Sequence, residues 1–123
     1  MLRTILLVGI GGGIGSALRY LTAVLTNKFF ANTFPLATFL TNIIGCFLIG
    51  ILMGYLVRNQ LADSNLKWFL VTGFCGGYTT FSAFGYENVN LFQTQNPALA
   101  FAYIAASIAI GLFAVWLGLF ISR

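Results

Sequence analysis

The 123 residues are 59% hydrophobic and only 7% charged, with a mean hydropathy of +0.94, against roughly 25% charged residues in an average soluble domain. The net charge of +4 rests on six basic residues. Arg3, Arg19, Lys28, Arg58, Lys67 and Arg123 stand singly near the ends of apolar runs, which excludes the clustered basic face of a nucleic-acid binder.

A membrane-spanning helix uses about 20 mostly apolar residues, so four spans and short turns consume almost the whole chain. The expectation is an all-α membrane protein in which residues 1–123 form a single transmembrane domain. Histidine is absent, and Cys46 and Cys75 lie in apolar stretches without companion ligands. Zinc and thiol chemistry therefore find no constellation, no enzymatic step is expected, and the cysteines read as small buried hydrophobes.

The first span is expected from about Leu2 to Leu25. Its apolar stretch from Thr4 to Leu25, although interrupted by Arg19, exceeds the roughly 7 to 15 residues of a signal-peptide core, which favours a retained span. Gly9 with Gly13 and Gly11 with Gly15 fall at four-residue spacing, as do Gly50 with Gly54 in the second span. Such pairs let helix backbones approach closely in lipid. The same cluster does not complete GxGxxG, and neither a strand nor a following acid supports a dinucleotide loop.

A polar, aromatic loop over Thr26 to Phe34 leads to Pro35, a residue suited to opening a helix, and the second span covers about Leu36 to Val57. It carries one amide, Asn42. A polar residue at membrane depth marks either a functional site or an interhelical hydrogen bond, and the sequence does not choose between them. The loop from Arg58 to Lys67, with Asn59, Gln60, Asp63, Ser64 and Asn65, is the most hydrophilic piece and belongs in water or headgroups.

The third segment, Trp68 to Phe92, contains Gly73, Gly76, Gly77, Thr79, Thr80, Ser82, Gly85 and Glu87. Backbone in hydrocarbon needs every donor and acceptor paired, so the run Gly73 to Thr80 predicts an interrupted helix lining a protein cavity. Broken helices put free carbonyls and helix termini at the midplane, where ions bind. Phe81 and Phe84, three apart, project from nearly one face and flank Ser82. Phenylalanines so spaced ordinarily signal packing, yet ring edges are electropositive and can touch a small anion.

After a turn at Gln93 to Pro97 the fourth span runs from about Ala98 to Ile121, with Tyr103 and Ser107 one turn apart. An interhelical hydrogen bond is the simpler explanation of these hydroxyls. Arg3, Arg58, Lys67 and Arg123 share one expected side, against Lys28 and Arg19. That bias specifies orientation only weakly. No internal repeat is visible, so a second copy is the natural source of the missing half of a midplane site.

The segments GGGIGSALRY, TNIIGCFLIG and GFCGGYTTFSAF resemble those of the Fluc (CrcB) fluoride channels, over nearly the whole chain, and the third is the most specific. The resemblance implies a fluoride-selective channel of the bacterial plasma membrane: a dual-topology, antiparallel homodimer in lipid, with two pores exporting cytoplasmic fluoride passively and a structural Na+ at the dimer centre. It implies that backbone carbonyls of Gly76 and Thr79 hold the Na+. It makes Asn42, Phe81, Ser82, Phe84, Tyr103 and Ser107 the pore lining, Arg19 a vestibule cation and Glu87 the end of a polar track. Where many family members read Phe-Ser-Thr-Phe-Ser, this chain has Phe81-Ser82-Ala83-Phe84-Gly85, so two hydroxyls of the usual track are missing. A four-helix proton-coupled multidrug exporter is the nearest alternative, but it needs an acid in its first span, which has none. A non-transporting assembly subunit is the third possibility.

Overall fold

The computed structural model describes residues 1–30, 33–94 and 96–123. Ala31 and Asn32 of the loop expected over 26–34, and Gln95 of the turn expected over 93–97, lie outside the described residues. Every regular element described is helical: α1 (Leu2–Phe29), α2 (Leu36–Arg58), α3 (Asn65–Lys67), a π-helix π1 (Trp68–Cys75), α4 (Gly76–Tyr78), α5 (Phe81–Gln93) and α6 (Pro97–Ser122). Helices α1, α2 and α6 are each long and apolar enough to cross a membrane, the length requirement being about 20 residues. The chain is therefore a multi-pass membrane protein.

The first helix outruns its expected end. Thr26 to Phe29, expected in a loop, continue α1, and the Phe30 N–H closes on the Thr26 carbonyl at 2.8 Å. These residues include no Gly or Pro to end a helix, and polarity alone does not stop one. Pro35 precedes α2 as expected, and its carbonyl accepts from the Phe39 N–H at 3.1 Å. At the far end of α2, Gln60 adopts a left-handed φ of 59°. Its N–H bonds the Val57 carbonyl and that of Leu61 bonds the Leu56 carbonyl, the paired closure of a Schellman motif. Pro97 opens α6 at a position where its missing N–H costs nothing.

The third segment is a chain of short pieces. The glycine-rich run, expected to unwind from Gly73, instead stays helical to Tyr78, and only Thr79 (φ −86°, ψ 158°) and Thr80 (φ −151°, ψ 115°) are extended. Its glycines serve close approach. A Cβ on Gly11 would overlap the Phe69 carbonyl, one on Gly15 the Phe74 carbonyl, and one on Gly77 the Gly12 carbonyl, so α1 lies backbone to backbone against π1 and α4. Gly50 and Gly118 play the same part where α2 crosses α6. Of the expected glycine pairs, Gly11/Gly15 and Gly50/Gly54 meet other helices of the chain, whereas nothing lies within 4 Å of a Cβ at Gly9 or Gly13.

A small aromatic core joins α5 to α6. Tyr103 is fully buried with Leu91 and Ala100, and its ring meets Phe34 and Phe84 edge-on at centroid distances of 5.2 and 5.0 Å. Elsewhere large apolar side chains face outward along α1 and α6. In lipid such exposure costs little, since the tails are as apolar as leucine.

Candidate functional site

The break is held by side chains of neighbouring helices. Asn42 on α2 accepts from the Thr80 N–H through Oδ1 (2.8 Å) and donates to the Thr80 carbonyl through Nδ2 (3.1 Å). A primary amide placed in this way pairs the Thr80 N–H, which no helix serves, and adds a donor to the carbonyl with which Thr80 caps α5. Three residues along α2, Gly45 leaves room for the Thr79 methyl, and a Cβ there would overlap Thr79 Cγ2. Thr79 turns its hydroxyl back to the Cys75 carbonyl (2.9 Å).

Thr80 is also the N-cap of α5, its Oγ1 accepting from the Ala83 N–H at 3.2 Å, which is the ordinary preference for a hydroxyl at this position. Together these contacts free two carbonyls. In a continuous helix the Gly76 carbonyl would receive the Thr80 N–H and the Thr79 carbonyl the Ala83 N–H, but those donors go to Asn42 Oδ1 and Thr80 Oγ1. The Gly77 carbonyl, by contrast, accepts from Arg19 Nε (3.1 Å) and Ser16 Oγ (3.4 Å). Two backbone oxygens are thereby relieved of their helical donors, and neutral carbonyl oxygens are hard ligands of the kind alkali cations use. Among the described residues no three His, Cys, Asp or Glu side chains gather as a metal site.

Past the break, Phe81 and Phe84 lie with ring centroids 5.8 Å apart. Phe84 packs into the aromatic core, whereas Phe81 is 83% exposed. Ser82, also exposed, has its Oγ 3.2 Å from Thr80 Oγ1. One and a half turns further along α5 sits Glu87. Its Oε2 accepts from Thr38 Oγ1 (2.7 Å) and its Oε1 from Tyr103 OH (2.9 Å). Two hydroxyl donors from two other helices thus converge on one carboxyl group and give each of its oxygens a hydrogen bond.

Two cavities flank this track on the α1–α2 side. One, of about 360 Å³, is lined by residues including Ser16, Arg19, Thr38, Thr41 and Thr80. The second, of about 670 Å³, reaches Asn27, Thr33 and Glu87, and both share Ala23, Ala37 and Thr38. Arg19 is therefore half-buried at the cavity and tied to the break. The structure links Asn42 through Thr80 to Ser82, and Phe81 through Phe84 to Tyr103 and its partner Glu87. Ser107, one turn along α6, stays outside this hydrogen-bonded set among the described residues.

Two participants are not marked out in the sequence: Thr38 and Ser16. Thr38 lies one turn before Asn42, a spacing that places both on one face, and that was the available signal.

The sequence matches, over residues 6–119, the profile of the family described as CrcB-like protein, Camphor Resistance (CrcB). The chain belongs to the CrcB family. This CrcB chain is 52% identical over 122 residues to the fluoride-specific ion channel FluC of Flavobacterium psychrophilum, covering 99% of this chain and 98% of that one. Similar channels from Azobacteroides pseudotrichonymphae (49% over 118 residues, 96% and 94% covered) and Campylobacter fetus (48% over 121 residues, 98% and 94% covered) carry the same name. The CrcB assignment takes in every residue of the track described above.

Proposed function

We propose that this protein is a passive, fluoride-selective channel that lets cytoplasmic fluoride leave down its gradient. The observation that carries the reading is the pair of opposed helix ends at Thr79 and Thr80, lined by Asn42, Ser82 and Phe81. The N-terminus of α5 directs partial positive charge at the break, and hydroxyl and amide donors replace waters of a small, strongly hydrated anion. Ring edges of Phe81 and Phe84 contact it without holding it strongly. Weak, multiple contacts of this kind allow an ion to leave as well as enter. Arg19 draws anions into the adjoining cavity, and Ser107 extends the track along α6. The curated relatives' name supports fluoride as the cargo.

In this reading residues 1–123 form one transmembrane domain with four crossings. The two halves of the third segment each rise roughly 20 Å, so end to end they exceed the hydrocarbon thickness of about 30 Å. The functional unit is an antiparallel, dual-topology homodimer with two pores. The exposure of Phe81, and the open faces of Gly9 and Gly13, are what a partner surface provides for. The carbonyls of Gly76 and Thr79, repeated by the two-fold axis, hold a structural Na+, which ties the two breaks together. A proton-coupled exporter is less well supported, because α1 has no acid and the relatives are named as channels.

The test is fluoride release from liposomes for the wild-type protein and Phe81→Ile. Release by the wild type and at least tenfold slower release by a correctly dimeric Phe81→Ile protein support a pore lined by that ring. Unchanged release removes Phe81 from the pathway.

A further inference from the structure

Far from the break, α2 and α6 end side by side. A groove of about 590 Å³ opens there, with apolar walls from Met53, Gly54, Val57 and Leu119, and with Arg58 and Arg123 also lining it. That size falls in the range of roughly 300 to 1,000 Å³ that accommodates small organic ligands. Both arginines are exposed. The chain's two carboxylate side chains, Asp63 and Glu87, do not line the groove, and Glu87 is engaged by Thr38 and Tyr103. Nor do the helix ends need the guanidinium groups. Backbone N–H groups of Gln60 and Leu61 close α2, and that of Arg123 closes α6 on the Leu119 carbonyl at 3.1 Å.

Arg58 ends α2 where the most hydrophilic loop begins, so the groove lies at the boundary between hydrocarbon and water. We propose that it binds an anionic phospholipid, with one acyl chain against Met53, Val57 and Leu119 and the phosphate between Arg58 and Arg123. The apolar walls favour a chain over a free anion, and two guanidinium forks match phosphate oxygens in paired hydrogen bonds. Arginines close to a membrane surface are the usual readers of anionic headgroups. The site is independent of the ion pathway, so it stands or falls separately from the fluoride reading.

Native mass spectrometry of the full chain, delipidated and incubated with equimolar phosphatidylglycerol and phosphatidylcholine, reads the preference directly. Retained phosphatidylglycerol is expected to fall about fivefold in Arg58→Gln and about thirtyfold in the double variant with Arg123→Gln, at a typical contribution per basic residue. The charge-matched pair Arg3→Gln with Lys67→Gln, on the same expected side, keeps it. Val57→Trp fills the groove and lowers lipid retention with both charges intact. Equal retention of phosphatidylcholine, equal loss in the charge-matched pair, or displacement by millimolar inorganic phosphate would each overturn the proposal. So would a groove closed by the partner protomer and retaining no lipid.

Discussion

Asn42 and Thr80 form a reciprocal pair, 2.8 Å from the Thr80 N–H to Oδ1 and 3.1 Å from Nδ2 to the Thr80 carbonyl. One side chain thereby supplies what the helix loses where it breaks. Asn42→Ala leaves the Thr80 N–H unpaired, at a cost of about 1 to 3 kcal/mol when buried, and takes one donor from a carbonyl that still caps α5. A lower unfolding midpoint in detergent and a fall in fluoride release of tenfold or more are expected. A variant with wild-type stability contradicts the pairing.

Gly45 and Thr79 make a second contact between α2 and the break, a methyl packed against backbone. Gly45→Ala sets its Cβ on Thr79 Cγ2 and is expected to destabilise by about 1 to 3 kcal/mol, as overpacking does. Thr79→Ser removes that methyl and is expected to restore most of the loss. Because the two residues touch, the double variant must depart from additivity. Strict additivity in chemical denaturation refutes the contact.

The glycines divide by what surrounds them. Gly15→Ala drives a Cβ into the Phe74 carbonyl, while a Cβ at Gly85 meets nothing within 4 Å. Gly15→Ala is expected to separate α1 from π1 and lower thermal stability strongly. Gly85→Ser, which returns one hydroxyl of the family pattern, is expected to stay within about 0.5 kcal/mol of wild type, as open-surface changes do. Thermal melts of the two variants check the contrast.

Glu87 accepts from Thr38 and from Tyr103, so Tyr103→Phe strips one donor from a carboxylate at membrane depth. A hydrogen bond to a charged group is worth about 1.5 to 3 kcal/mol, and release is expected to drop at least tenfold with the protein still folded. Thr38→Val, removing the other donor, is expected to act in the same direction. Unaltered release from both variants places the Glu87 cluster outside the pathway.

The membrane character and the interrupted third segment were legible because apolar length and misplaced polar residues are local properties. What glycine does is not local. Gly73 to Gly77 read equally as unwinding or as close approach, and only the position of α1 shows that Gly77 sits against Gly12 while the chain turns extended two residues later. Asn42 stood out as an amide among leucines, yet its partner is a backbone 38 residues away. Thr38 was hidden for the opposite reason. Threonines in membrane helices commonly close on their own carbonyls, as Thr41 does on Thr38 at 3.0 Å, so only its place one turn before Asn42 marked the one that reaches Glu87. Glu87, whose role the sequence left open, has partners that only the placement of α2 and α6 shows, Thr38 and Tyr103.

Paired efflux from liposomes containing the wild-type protein, one set loaded with fluoride and one with chloride, tests the central claim most directly. Fluoride is expected to leave rapidly through a channel while chloride stays inside. Release of both at similar rates, or of neither from folded protein, contradicts the account.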